Sequence, residues 1–364
     1  MTPEPHVIDY RPSPRPTLGV EIELQILDPG TMALASRFDD LDEHLSEEER
    51  ISFKRELIQS CLEINTRICE SPAEAEADLR AKFARLASLA EKAGVRIASA
   101  GTHPFSHWKD QRISPVRRYH DLVENLQWVA RRMGIFGLHV HVGVDDADKA
   151  VSVTNELVKF LPHLLALSAN SPYWRGHDTG LASCRAKVFE ALPQAGLPHF
   201  LRDWDDYRWL VERLIATGSI SCLREIWWDV RPHPDFGTVE VRMCDAPSRL
   251  SEMVAIAALV QALVVKLGRD FDRGTPMPLM HESVIRQNKW RALRYGLEGE
   301  LIDWERYETE PTRDAIRRLL AMLEKTAEEL GTLGYFEEIE RMVAGEGGAA
   351  RQRRLLEETG EYAD

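Results

Sequence analysis

The chain has 364 residues, 44% hydrophobic and 29% charged, enough material to bury a substantial core. Lys and Arg number 46 against 59 Asp and Glu, a formal charge of −13, which argues against a nucleic-acid or anionic-membrane surface but leaves room for a local basic pocket. The five cysteines (Cys61, Cys69, Cys184, Cys222, Cys244) never fall in C-x-x-C spacing, so no disulfide framework or structural zinc site is indicated; no apolar run reaches a membrane span and no signal-peptide core follows Met1, so a cytoplasmic protein with reduced thiols is expected.

Residues 1–16 carry five prolines and read as a loose leader or an extended N-terminal arm. A strand follows from Thr17 to Leu27, turned by Asp28-Pro29-Gly30. Side chains alternate across a strand, so Glu21 and Glu23 share one face while Val20, Ile22 and Leu24 share the other. The acidic run Asp39 to Arg50 reads as a solvated helix or loop without chemistry. In Glu56 to Thr66 the second half alternates Leu62 and Ile64 with Glu63 and Asn65, which puts Glu63 on a polar face. Glu56 lies an odd number of residues away and needs a turn or bulge to reach that face.

Ser71-Pro72-Ala73-Glu74 is a capped helix start, with Leu79, Phe83, Leu86 and Ala90 as its apolar stripe and Gly94 as its stop. Val95 to Ala100 reads as a short strand. One amphipathic helix is expected over Tyr119 to Met133, feeding a strand from Ile135 to Val144 that sends His139 and His141 to one side. Helical pattern resumes at Ala147 and is divided by Pro162. The loop from Ser168 to Gly180, with Asn170 and then Arg185, mixes glycines with aromatic, basic and amide groups, a composition typical of functional loops. Trp204 to Ala216 is helical in pattern. Strands are expected over Glu225 to Val230 and Gly237 to Met243, joined by the turn-rich Arg231 to Phe236; the second puts Glu240 and Arg242 on one face. Ser251 to Leu267 is an almost wholly apolar, hence buried, helix. Asn288 to Gly296 and Arg313 to Leu330 are helical in pattern, and the charged tail, residues 341–364, reads as a surface helix.

About six short, alternating strands with long helices between some of them point to a two-layer α+β fold with an antiparallel or mixed sheet open on one face, a single domain over residues 17–340. The chain contains no G-x-x-x-x-G-K-[ST], H-E-x-x-H or G-x-S-x-G, and no strand-linked G-x-G-x-x-G. What remains is a carboxylate group, Glu21, Glu23, Glu56, Glu63 and Glu240, with His139 or His141. Hard oxygen donors suit Mg2+ or Mn2+, and carboxylates crowded on one face repel unless cations neutralise them. The bland alternatives are a solvent-facing strand for Glu21 and Glu23, and for Arg242 either a phosphoryl contact or a plain ion pair with a neighbouring Glu.

The segments Gly19-Val20-Glu21-Ile22-Glu23-Leu24, Glu56 to Thr66, Gly137 to Gly143, Ser168 to Pro172 with Asp178-Thr179-Gly180 and Arg185, and Trp228 to Pro232 through Thr238 to Asp245 together resemble the carboxylate-amine ligase family. This is the group called glutamate–cysteine ligase type 2, related to glutamine synthetase, and the ordered motifs run from about Thr17 to Gly296. The resemblance implies a curved, mostly antiparallel sheet like the glutamine synthetase catalytic domain, with helices on one face. It implies ATP and Mg2+ (or Mn2+), with Glu21, Glu23, Glu56, Glu63, His139 and Glu240 holding the metal. Arg242 then contacts the transferred phosphoryl group beside Glu240, Arg185 holds the substrate carboxylate, and Asn170 and Arg231 belong to the same pocket. The implied chemistry is phosphorylation of a carboxylate, the γ-carboxylate of L-glutamate first among them, and attack on the acyl phosphate by L-cysteine or another amine, giving ADP and phosphate. A homo-oligomer, a dimer by preference, is expected from the family. A metal-dependent hydrolase, or a protein that binds ATP or a metabolite without turnover, would be the other uses of the same Glu/His group.

Overall fold

Alternation of side chains decides which strand sits at the centre. In β1, Leu18–Leu27, the residues Leu18, Val20, Ile22, Leu24 and Ile26 are all but fully buried. Burying each is worth roughly 1.5–3 kcal/mol, so this face is fixed toward the helices and Glu21 and Glu23 are fixed away from them. The computed structural model describes residues 8–275, 280–303 and 305–362. Around β1 it arranges β2 (Phe53–Arg55), β3 (Cys61–Asn65), β4 (Arg96–Ala98), β5 (Gly137–Gly143), β6 (Val230–His233) and β7 (Thr238–Asp245). The order is β6-β7-β5-β1-β3-β2, with β4 also beside β1, and every pair is antiparallel. The α+β architecture expected from the sequence is therefore present, with six strands on the main path and a seventh off it.

The apolar face is covered by α1 (Pro72–Ala93), α2 (Ala147–Leu157), α3 (Leu161–Ser168) and α4 (Leu250–Asp272). Helix α1 starts where expected, with Ser71 Oγ accepting from the Glu74 N–H, and stops at Gly94 with φ 62°. Helix α4 corrects one expectation: with mean hydropathy 1.9 it is long and apolar enough, by length and composition, to cross a membrane. Since 78% of that apolar stretch is buried inside the protein, it serves as the core helix on which α1 and α2 pack.

Other differences have identifiable causes. The helix expected over Tyr119 to Met133 is two, Arg117–Leu126 and Trp128–Arg131, because Gln127 takes φ 49°. Its apolar spacing continues across the break, so periodicity could not reveal it. The first hairpin strand begins at Val230, not Glu225, and Trp227–Trp228 pairs in parallel with Ala195–Gly196 instead. Arg231 thus lies in a strand rather than in the turn. Of the proline-rich arm, the first seven residues lie outside the described residues; the remainder is extended and bonded. Arg11 N–H donates to Pro234 O and Ser13 N–H to Val144 O, both at 3.0 Å. The tail forms a helix, Gly348–Thr359, tied to the body by Arg351 on Glu252 and Arg353 on Asp178.

The arm leaves no room for a side chain at Gly143, where a Cβ would lie 2.3 Å from Arg15 O, or at Gly237. Gly237, at φ 62°, carries the β6–β7 turn, and a Cβ there would lie 1.8 Å from Arg11 O; at Gly94, also φ 62°, nothing lies within 4 Å. Gly94→Ala should cost about 1–2 kcal/mol from backbone conformation alone, and Gly237→Ala about 3 kcal/mol or more. Urea midpoints of the two variants measure this, and equal losses would show that the arm does not press on the turn.

Candidate active site on the polar face of the sheet

Register places the polar residues beside one another. Glu23 pairs with Glu63, Glu21 with His139, His141 with Glu240, and Glu240 with Arg231. Glu56 lies between β2 and β3, where the chain turns back, and this turn brings its carboxylate to the sheet face. Three donor groups result, each with ligand atoms within 4.8 Å of one another: Glu21, His141 and Glu240; Glu21, Glu63 and His139; Glu23, Glu56 and Glu63. They step across the sheet from β7 to β3. Every residue expected in a metal-binding set falls in one of them. Both histidines take part, whereas the sequence reading preferred His139; the strict alternation of β5 was the signal that either could serve.

At the β7 end the acids are balanced by guanidinium groups. Arg231 Nε donates to Glu240 Oε2 at 2.7 Å, and Arg242 Nη1 donates to the other oxygen. Burial alone would raise Glu240, but the charges of Arg231 and Arg242 outweigh it and hold the carboxyl well below its usual range. Glu21 is likewise opposed by burial, yet the His139 hydrogen bond and the His141 charge bring it down to about 2. His139 is pushed down to about 4 by burial and by Arg242, so it is a neutral imidazole able to donate a lone pair.

At the β3 end nothing comparable balances the charge. Burial and the neighbouring Glu56 push Glu23 up to about 7; burial raises Glu56; burial, Glu21 and Glu56 raise Glu63 far above the carboxylate range. Lys54, 3.7 Å from Glu63, is half exposed and compensates little. Oxygen and imidazole donors in mutual reach, with acids that cannot all ionise unaided, fit a hard divalent cation such as Mg2+ or Mn2+.

These groups floor a cavity of about 720 Å3. Arg242 enters it at a β-bulge, since the β7–β5 register shifts between Val241 and Cys244, and its N–H is held by Asp229 O at 2.8 Å. Arg242 is ion-paired to Glu240, the plainer of its two readings, while its buried Nε has no hydrogen-bond partner. Arg231 lines the cavity as well, with Nε on Glu240 and Nη1 donating to Leu223 O and Ile226 O, so it supports Glu240 from within the pocket in which it was expected.

Arg185 also lines the cavity, only 2% exposed, with its guanidinium lying over Gly137, where a Cβ would come within 2.1 Å of Nη2. It donates to Met243 O and Arg242 O, and its Nε has no partner. Asn170 is not brought to the cavity. Its amide nitrogen donates to Ala246 O and Ser248 Oγ and its Oδ1 accepts from Gln352, so the buried amide is used up in tying the tail helix to the loop after β7. Sequence reasoning missed Asp245, which accepts from Asn170 N–H, Ser171 Oγ and Ser183 Oγ and so anchors the loop that carries Arg185. Its position at the end of the Glu240 strand was the available signal.

Comparison with known proteins bears on the family and the fold. The sequence pattern of the family described as glutamate–cysteine ligase family 2 matches residues 17–364. A Gloeobacter violaceus protein provisionally named glutamate–cysteine ligase 2 is 48% identical over 97% of this chain and 95% of its own length. One from Thermobifida fusca, with the same provisional name, is 44% identical over 98% of this chain and 90% of its own. Among solved structures, the glutamate–cysteine ligase of Francisella tularensis in complex with AMP superposes with TM-score 0.70 at 15% identity, covering 98% of this chain and 87% of that one. A bifunctional glutathione synthetase from Pasteurella multocida gives TM-score 0.66 at 14% identity, covering 96% of this chain and 50% of that one; at such identities both show the fold alone. This chain belongs to glutamate–cysteine ligase family 2.

Proposed function

We propose that the protein is an ATP- and Mg2+- (or Mn2+-) dependent ligase that phosphorylates the γ-carboxylate of L-glutamate and joins it to an amine, releasing ADP and phosphate. The observation that carries this reading is the set of three overlapping donor groups stepping from Glu240 to Glu63, with Arg242 lining the same cavity. Glu21, Glu23, Glu56, Glu63, His139, His141 and Glu240 would hold the divalent cations. Bound there, the cations would offset the charge of the phosphate oxygens.

The chain's own residues do the rest by position and charge. Glu240, fixed between two arginines, aims the Arg242 guanidinium at the phosphoryl group in transfer, where a planar donor set is worth most. Arg185 offers its unpartnered Nε to the substrate carboxylate, an arrangement that supports its expected role. A carboxylate is a poor electrophile until phosphorylation gives it a leaving group, so no enzyme nucleophile is required and the absence of a catalytic triad is no obstacle. The family membership and the provisional names of the relatives support the same reading. We extend it to a homo-dimer acting in the cytoplasm, open to measurement by light scattering.

Arg242→Ala should lower glutamate-dependent ADP release by roughly 10²–10³-fold while circular dichroism shows a folded protein, because Arg231 still neutralises Glu240. A wild-type rate would remove Arg242 from the chemistry. Cation affinity should weaken as pH falls below about 7, since Glu23 then retakes the proton that a cation must displace, and burial raises Glu56 and Glu63 as well. Titration of Mn2+ by calorimetry in two buffers of different ionisation enthalpy reads the released protons; binding without proton release and without pH dependence would contradict the site.

A further inference from the structure

One wall of the cavity takes no part in the chemistry above. Leu57, Met133, Ile135, Phe189, Leu192 and Trp227 all line it, and they form or pack against a small hydrophobic cluster that Leu57 also joins to the main core. Its place follows from the two ends of β5, which lie about 20 Å apart at 3.4 Å per residue. At the Gly143 end, β7 begins with Thr238, whose partner His233 stacks on Phe236 with ring centres 4.1 Å apart and planes 5° apart. Phe236 is 58% exposed and lines the cavity, so this end presents an open aromatic plate suited to a flat nucleobase, beside His141 and Glu240. At the Gly137 end the wall begins. Ile135 lies two residues before Gly137, whose N–H donates to Glu23; the Phe189 ring lies 5.6 Å from the Arg185 guanidinium; Leu57 follows Glu56. The apolar wall therefore adjoins the Glu23, Glu56 and Arg185 end, away from the aromatic plate.

Resting on the ligase reading, we propose that this wall receives the apolar body of the amine, so that the preferred acceptor is a primary amine with a hydrocarbon or aromatic side chain rather than cysteine. In the joining step the neutral amine nitrogen forms a bond to the acyl carbon, the carbon–oxygen bond to phosphate breaks with its electron pair on phosphate, and phosphate takes the proton that nitrogen sheds. Cysteine offers one methylene and one sulfur to six apolar side chains. A longer chain covers more of them, and each methylene buried is worth roughly fourfold in affinity.

The test supplies ATP, Mg2+ and L-glutamate and varies the nucleophile: hydroxylamine, ethylamine, butylamine, phenethylamine and L-cysteine. Hydroxylamine is small enough to trap an acyl phosphate as the hydroxamate without using the wall. The expected result is hydroxamate formation together with kcat/KM rising at least tenfold from ethylamine to phenethylamine, cysteine remaining below phenethylamine. Hydroxamate with a flat amine series, or with cysteine ahead, overturns the acceptor assignment and leaves the ligase reading standing; no hydroxamate removes both. Trp227→Ala, or Leu192→Ala if the first does not fold, should raise the KM of phenethylamine at least tenfold. If either raises the KM of ATP instead and leaves the amine series unchanged, the wall holds the nucleobase and the assignment fails.

Discussion

The whole site depends on how buried carboxylates are kept from repelling one another. A lone ionised carboxylate in an apolar setting is costly, and two side by side are worse. The two ends of the sheet solve this differently. Glu240 is compensated within the chain, gripped by Arg231 on one oxygen and Arg242 on the other. Glu23, Glu56 and Glu63 have no arginine hydrogen-bonded to them, and burial with mutual repulsion raises all three despite the more distant charges of Arg185 and Arg242. One half of the floor is thus an anion compensated within the chain, and the other a set of acids whose ionisation is opposed by burial and by one another.

Such an arrangement is stable only because the opposite face of the sheet cannot give way. Slipping any strand by one residue would bury its charges among the helices and expose its valines and isoleucines. The apolar seam of Val20, Ile22, Val140, Val142, Val239 and Val241 against the helices opposes that slip at β1, β5 and β7 together. Where regular alternation would misplace a group, local devices correct it. The β7 bulge presents Arg242, the missing side chain at Gly137 admits Arg185, and the Asp245 carboxylate gathers Asn170, Ser171 and Ser183 so that the Arg185 helix starts in the right place.

Which features were legible in the sequence follows from how local they are. Period-two alternation is a property of five or six consecutive residues, so Glu21, Glu23, Glu63, His139, His141 and Glu240 could be assigned to a common face before any pairing was known. The Ser71 cap and the Gly94 stop are equally local. Glu56 could be flagged only as needing a turn, since its offset from Glu63 is odd and the intervening chain reversal depends on β2, which is three residues long and has too little pattern to read. Asn170 looked like a ligand-facing amide because its loop is rich in polar groups; the residue that claims it, Gln352, lies 182 positions away. The same distance hid the docking of the tail helix.

This contrast extends to the chemistry and the specificity of the protein. Most of the Glu/His/Arg floor comes from strands, where the spacing of the side chains is enforced by the pleat. The apolar wall comes from the β2–β3 loop, the lead-in to β5, the short helix Cys184–Phe189 with the turn beyond it, and Trp227, with no shared periodicity. Each of its residues is an ordinary hydrophobe in its own neighbourhood and acquires meaning only when the fold closes. Substitutions among hydrophobes of similar volume are tolerated well in such clusters. The wall can therefore change its shape, and with it the amine that fits, while the Glu/His/Arg floor stays intact. Floor and wall are thus set by different physical constraints, and one can vary without the other.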